Sequence, residues 1–287
     1  DLIVSALSLG CMSFHTLDQG RPIIERALEG GINFFDTADL YDRGENERIV
    51  GKVLQSRRSE VIIATKVGNR WRDDGSGWDW TPRKDYILTA VEESLRRLHT
   101  DYIDLYQLHG GTIDDPLDEV VEAFEQLREQ GKIRYYGISS IRPSTIRKWT
   151  EVAPGAVSCM TQYSLLDRRP EEATLARLQE NGQGVLVRGA IAKGLLNGRT
   201  PEPYLDHEAL TVAQLAGKLQ VLAGEDPPGA LAIRYVLQHP AVSTVVLGAS
   251  RPEQLDDFVD QVSQPLPAET YDLLKYMAPE LVYKAHR

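Results

Sequence analysis

Short apolar runs alternate with amphipathic stretches almost to the end of this chain, and few folds can absorb that rhythm. Strands are expected over Val4–Leu9, Ile32–Asp36, Val61–Lys66, Ile103–His109, Ile133–Ser139, Val157–Gln162, Gly184–Arg188 and Val242–Leu247. Their interiors are mostly apolar with little strict alternation, the pattern of parallel strands covered on both faces. Helical patterns lie between them. Over Lys84–Leu98, Ile87, Leu88, Val91, Leu95 and Leu98 share one face, with Thr81 and Pro82 as a start signal. Asp118–Gln130 turns Val120, Val121, Phe124 and Leu127 inward and stops at Gly131. Eight such units without a linker-like break predict an α/β chain folded as a (β/α)8 TIM barrel, one domain over residues 1–287. Barrels of this length are common as single domains. A doubly wound sheet is the alternative, but the Gly10–Phe14 segment after the first run lacks its Gly-rich fingerprint.

Two segments break the rhythm. Gly68–Trp80 reads as a polar, Gly-containing loop carrying three of the four Trp residues, placed after the third strand. Asn197–Asp206 is a Pro-containing stretch after the seventh strand, followed by a helical region to Leu222.

Composition narrows the function classes. Net charge is −10 with the two signs interspersed, which argues against nucleic-acid or membrane-surface binding. Cys11 and Cys159 are the only cysteines, with no metal-ligand spacing, and read as reduced buried thiols. No stretch has the length of a membrane span and no signal peptide is visible, so a cytoplasmic location is expected. Oligomeric state is not legible.

Asp36, Tyr41, Lys66 and His109 each stand just past an apolar run. In a TIM barrel that places all four at the mouth where active sites are built. A phenol is a poor proton donor near neutrality, with a reference pKa of about 10. A nearby ammonium stabilises the phenolate and turns the phenol into a usable general acid. A buried lysine in turn needs a carboxylate to stay charged. An imidazole beside them can orient a carbonyl oxygen on its way to alkoxide. Such a set suits protonation of a carbonyl during reduction, and it contains no hydride donor, so a cofactor must supply one.

The motifs around these residues resemble one family. Gly31–Tyr41 followed by Gly44–Glu47 looks like the aldo-keto reductase signature around its catalytic Asp and Tyr, and Ala64–Val67 like its lysine strand. Thr100–His109 resembles its histidine strand almost word for word, and Gly131–Ser139 and Leu247–Leu255 resemble later family motifs. The resemblance implies Asp36, Tyr41, Lys66 and His109 as a catalytic tetrad with Tyr41 as the acid. It also implies an extended NADP(H) across the barrel mouth.

Carried over residue by residue, Ser139 and Gln162 would hold the carboxamide, with Cys11 and Met12 in the first strand–helix turn nearby. Ser140 stands where the family usually has Asn, and one hydroxyl cannot replace both ends of an amide. Arg188 occupies the position of the usual nicotinamide-stacking aromatic. A guanidinium can stack on a neutral reduced ring, whereas the oxidised ring is cationic and would be repelled. Gly189, Ala190, Ala192, Gly194 and Leu195 resemble the pyrophosphate-contacting segment. Gly248, Ser250 and Arg251 follow the eighth strand, with Ser250 and Arg251 matched to a ribose 2′-phosphate. Gln254 and Asp257 match adenosine-side contacts, while Phe258 replaces a usual Asn.

For substrate, Phe14, Trp71 and Trp78 are candidate walls, suited to an apolar or aryl aldehyde or ketone. A competing function is a regulatory nucleotide-binding module similar to the β subunits of voltage-gated potassium channels. A metal-dependent hydrolase using Asp36 and His109 is a third possibility, weakened by the lack of a His-x-His or clustered carboxylates.

Overall fold

The computed structural model describes residues 2–262 and 264–286. The chain runs through β1 (Leu7–Gly10), β2 (Phe34–Asp36) and β3 (Ile62–Val67) before a short hairpin, β4 (Asn69–Trp71) and β5 (Trp78–Trp80). It continues through β6 (Ile103–His109), β7 (Ile133–Ser139), β8 (Ser158–Gln162), β9 (Gly184–Arg188) and β10 (Val242–Gly248). Apart from the hairpin, these strands close a parallel barrel in the order β1-β10-β9-β8-β7-β6-β3-β2.

Helices α1 (Leu17–Glu29), α2 (Glu45–Leu54), α3 (Lys84–Leu98), α4 (Leu117–Glu129), α5 (Pro143–Val152) and α6 (Thr174–Glu180) fill successive crossovers. Both α7 (Ala209–Ala223) and α8 (Pro228–Leu237) lie between β9 and β10, with α9 (Glu253–Val259) and α10 (Ala268–Met277) beyond. Among the described residues no helix is long and apolar enough to cross a membrane.

Two cores result from strands that are apolar on both faces. Phe34, Ala64, Leu105, Met160, Leu186 and Val246 fill the barrel interior, while Ile63, Ile103, Phe124 and Trp149 belong to the layer between strands and helices. The interior leaves no room at Gly137, where a Cβ would stand 2.4 Å from Ser158 Oγ.

Three sequence expectations change here. The first strand begins at Leu7 rather than Val4, because Ser5 is pinned through its N–H and hydroxyl to the Asn33 side chain instead of joining the ladder. Gly68–Trp80 is not an irregular loop. It is an antiparallel hairpin pairing Asn69 with Trp80 and Trp71 with Trp78. Thr81 and Pro82 do not open α3, whose cap is Arg83, since the Thr81 N–H is used by the Gly68 carbonyl to close the hairpin.

Candidate active site

The carboxyl ends of the strands surround a cavity of about 620 Å³. Its walls include Gly10, Met12, Asp36, Leu40, Tyr41, Lys66, His109, Ser139, Ser140, Arg188 and Gly248. Its floor is shared with the barrel interior, because Met160 and Val246 belong to both.

At the floor stands Lys66, 1% exposed. Its Nζ donates to Asp36 Oδ2 at 2.6 Å, to the Thr37 carbonyl at 2.8 Å and to the Tyr41 hydroxyl at 3.4 Å. Three donors therefore meet three acceptors, the full capacity of an ammonium. Burial alone would lower the Lys66 pKa, but Asp36 and then Tyr41 outweigh it and the value rises. Burial likewise raises Asp36, opposed by Lys66, by Gln107 (whose amide donates to Oδ1 at 3.4 Å) and by the more distant Arg188.

Tyr41 follows β2 at the start of a short helical turn, and its ring meets that of His109 edge-on at 5.7 Å. Burial is the main cause that pushes His109 down to about 3, helped by the charges of Lys66 and Arg188. The imidazole is thus neutral near pH 7. Its Nδ1 is buried without a protein partner, which leaves Nε2 as the nitrogen for a ligand atom.

On the opposite wall, Arg188 ends β9 in register with Gln162 and donates from Nη1 to its Oε1 at 3.1 Å. Arg188 pairs with no carboxylate among the described residues. The chain turns sharply after it through Gly189, at φ +74°, a left-handed conformation suited to glycine. Ser140 Oγ accepts the Arg142 N–H at 3.2 Å, so its one hydroxyl is already engaged locally.

The cofactor candidates divide by exposure. Met12, Ser139, Arg188, Gly189 and Gly248 line the cavity, and Gln162 lies behind Arg188. Cys11, Ala190, Ala192 and Leu195 have buried side chains, so any contact they make with a ligand must come from their backbone, as must that of half-buried Gly194. Ser250, Arg251 and Asp257 are exposed. Gln254 Oε1 accepts from the Ser250 and Arg251 N–H groups at 2.7 and 3.2 Å and from the Ser250 hydroxyl at 3.2 Å, so these donors are capped internally and the Arg251 side chain remains for an anion. Phe258 is buried in the core, which removes it from any adenine contact.

The substrate walls need correction. Phe14 is wholly buried, packed 3.1 Å from where a Cβ on Gly20 would stand, so it belongs to the core and not to the cavity. Trp71 and Trp78 form a cross-strand pair on the hairpin and are not among the lining residues, although Trp71 Nε1 donates to the carbonyl of Leu40, which is one of them. The apolar lining is aliphatic instead, from Met12, Leu40, Ile141, Met160 and Val246. Sequence reasoning missed Gly110, Gly111 and Arg142, although the Gly pair directly after His109 was a visible turn signal. Among the described residues no three His, Cys, Asp or Glu side chains cluster as metal ligands.

Fold and site together define a (β/α)8 barrel protein whose polar centre sits at the carboxyl mouth of its strands. The chain belongs to the aldo/keto reductase family, whose model matches residues 6–278, and it is an oxidoreductase. It is 47% identical over 300 residues to the "Uncharacterized oxidoreductase YqkF" of Bacillus subtilis, covering 100% of this chain and 97% of that one. It is 30% identical over 324 residues to a "Putative voltage-gated potassium channel subunit beta" of Schizosaccharomyces pombe, covering 99% and 93%. Among solved structures it is similar to the holo form of aldo-keto reductase AKR11C1 from Bacillus halodurans, with TM-score 0.95, 49% identity and coverage of 100% and 96%.

Proposed function

We propose that the protein reduces an aldehyde or ketone to the alcohol with NADPH, Tyr41 acting as general acid. The observation that carries this is Lys66 Nζ bridging Asp36 and the Tyr41 hydroxyl at the floor of an otherwise largely apolar cavity. As charge grows on the carbonyl oxygen, Tyr41 releases its proton to it. The Lys66 ammonium faces the phenolate left behind, and Asp36 keeps that ammonium charged. His109, neutral, donates through Nε2 and fixes the carbonyl oxygen near the phenol. When bound, the reduced nicotinamide supplies the hydride.

The residues present fit such a cofactor in part. Ser139 offers a carboxamide partner, while Gln162 keeps only a second lone pair on Oε1. The Gly189–Leu195 turn offers those N–H groups not spent within it, as Ala192, Gly194 and Leu195 spend theirs, and the Arg251 side chain is exposed with no carboxylate partner among the described residues. Arg188 stands where its charge disfavours an oxidised, cationic ring, which would speed cofactor release. The aliphatic lining favours an apolar carbonyl compound without demanding an aryl group.

Absorbance loss at the reduced nicotinamide band with a panel of aldehydes tests this. A second possibility, a regulatory nucleotide-binding module, is kept by the similarity to the potassium channel subunit beta. NADPH binding without turnover on any aldehyde would favour it and overturn the enzyme.

A further inference from the structure

The Gln162 amide nitrogen donates to Asp167 Oδ2 at 2.8 Å and to the Tyr204 hydroxyl at 3.3 Å. An amide nitrogen has two hydrogens, so both are spent on the side away from Arg188. A carboxylate can only accept. Turning the amide over would set oxygen against oxygen at Asp167, so the orientation is locked. Gln162 Oε1 is thereby aimed at Arg188 Nη1, which donates to it at 3.1 Å.

Asp167 is itself rigidly held. It is 1% exposed, and Arg169 grips it from Nε at 2.6 Å and Nη2 at 2.8 Å. Its backbone exchanges two hydrogen bonds with Ser164, and the Arg169 guanidinium lies 4.9 Å over the Tyr283 ring. A continuous polar chain therefore runs from the far C-terminal segment through Arg169, Asp167 and Gln162 to the cavity wall.

We infer that Asp167 is a positioning residue that fixes the Gln162 amide and, through it, holds the Arg188 guanidinium at the cavity wall across from Tyr41 and His109. Its effect on cofactor discrimination rests on the nicotinamide function proposed above. Asn at position 167 cannot reproduce the lock. With its oxygen in the Oδ2 position, which already serves Gln162 and Arg169 Nη2, an Asn sets its nitrogen against Arg169 Nε, donor to donor; turned over, its nitrogen draws the Gln162 oxygen away from Arg188.

Two measurements test this, the first without cofactor. In the apo protein, the Gln162 side-chain amide protons should exchange with solvent about five-fold faster in Asp167→Asn, the worth of one hydrogen bond. Unchanged exchange would overturn the lock. The second compares dissociation constants for NADP+ and NADPH in the wild type, Asp167→Asn, Arg188→Met and the double variant. Asp167→Asn should shift the ratio toward the oxidised form in the same direction as Arg188→Met, by about five-fold, and add nothing in the double variant. If the two shifts multiply in full, Asp167 does not act through Arg188 and the inference fails. Tyr204→Phe removes one acceptor and no charge, so it serves if Asp167→Asn does not fold, with a smaller shift in both readouts. An Arg188→Met protein with an unmoved ratio sinks the placement of Arg188 against nicotinamide, and the apo exchange result then decides the lock alone.

Discussion

Lys66 and Arg188 are cations on opposite walls of one cavity, yet their surroundings differ in kind. Lys66 is buried, and Asp36, Thr37 and Tyr41 take all three of its protons. Arg188 is exposed, touches one neutral amide and meets no carboxylate among the described residues; Arg251, on the rim beyond, likewise has no carboxylate partner among them. A charge completed inside the protein holds its geometry whatever binds. A charge left open is free to respond to a ligand. On the function proposed above, the β2–β3–β6 side is preorganised for chemistry, while the β9–β10 side discriminates among what occupies the cavity.

The contrast breaks if a residue of the first wall governs binding or one of the second governs chemistry. Tyr41→Phe should reduce turnover by about 10²- to 10⁴-fold, the usual worth of a placed acid, with NADPH affinity unchanged by titration. A weakened affinity would blur the two walls. Arg251→Gln should weaken NADPH about ten-fold and leave NADH unaffected, with turnover at saturating cofactor unchanged. Equal losses for both nucleotides would place Arg251 away from the 2′-phosphate.

The smallest expected effect concerns His109. Its folded pKa, depressed to about 3 from an ordinary 6.5, means that acid protonates the unfolded chain first. Stability contributed by this group is present above pH 6.5 and is lost as pH falls from there toward 3. Between pH 6.5 and 5.5, wild type should lose about 1 kcal/mol more than His109→Gln in denaturant unfolding, close to the limit for one proton. Equal losses would mean that the imidazole is far better solvated than its buried Nδ1 implies.

Much of this was legible in the chain. Ile103–His109, Ile133–Ser139 and Gly184–Arg188 have the strand limits that their sequences suggest, because an apolar run buried on both faces announces itself without reference to its neighbours. Asp36 and His109 end β2 and β6, and Lys66 stands one residue before the end of β3, as the apolar runs before them suggest. Phe14 was not legible. It follows Met12 in the same turn, and only the packing of α1 at Gly20 sends it inward. The hairpin hid because three-residue strands are too short for a period, although Gly75 and Gly77, both at positive φ, marked its turn. The Asp167 lock also escaped, since only the folded turn after β8 brings that carboxylate to Gln162.

The hairpin ties down more than itself. Trp71 Nε1 donates to the Leu40 carbonyl, next to Tyr41, and Trp80 Nε1 donates to Asp115 Oδ1 in the segment following His109. The turn that carries Tyr41 and the loop that follows His109 are therefore both moored to one small sheet. The free energy for opening the phenol's turn thus includes that of releasing the Trp71 indole, and the loop beyond the imidazole is tied to the same sheet through Trp80.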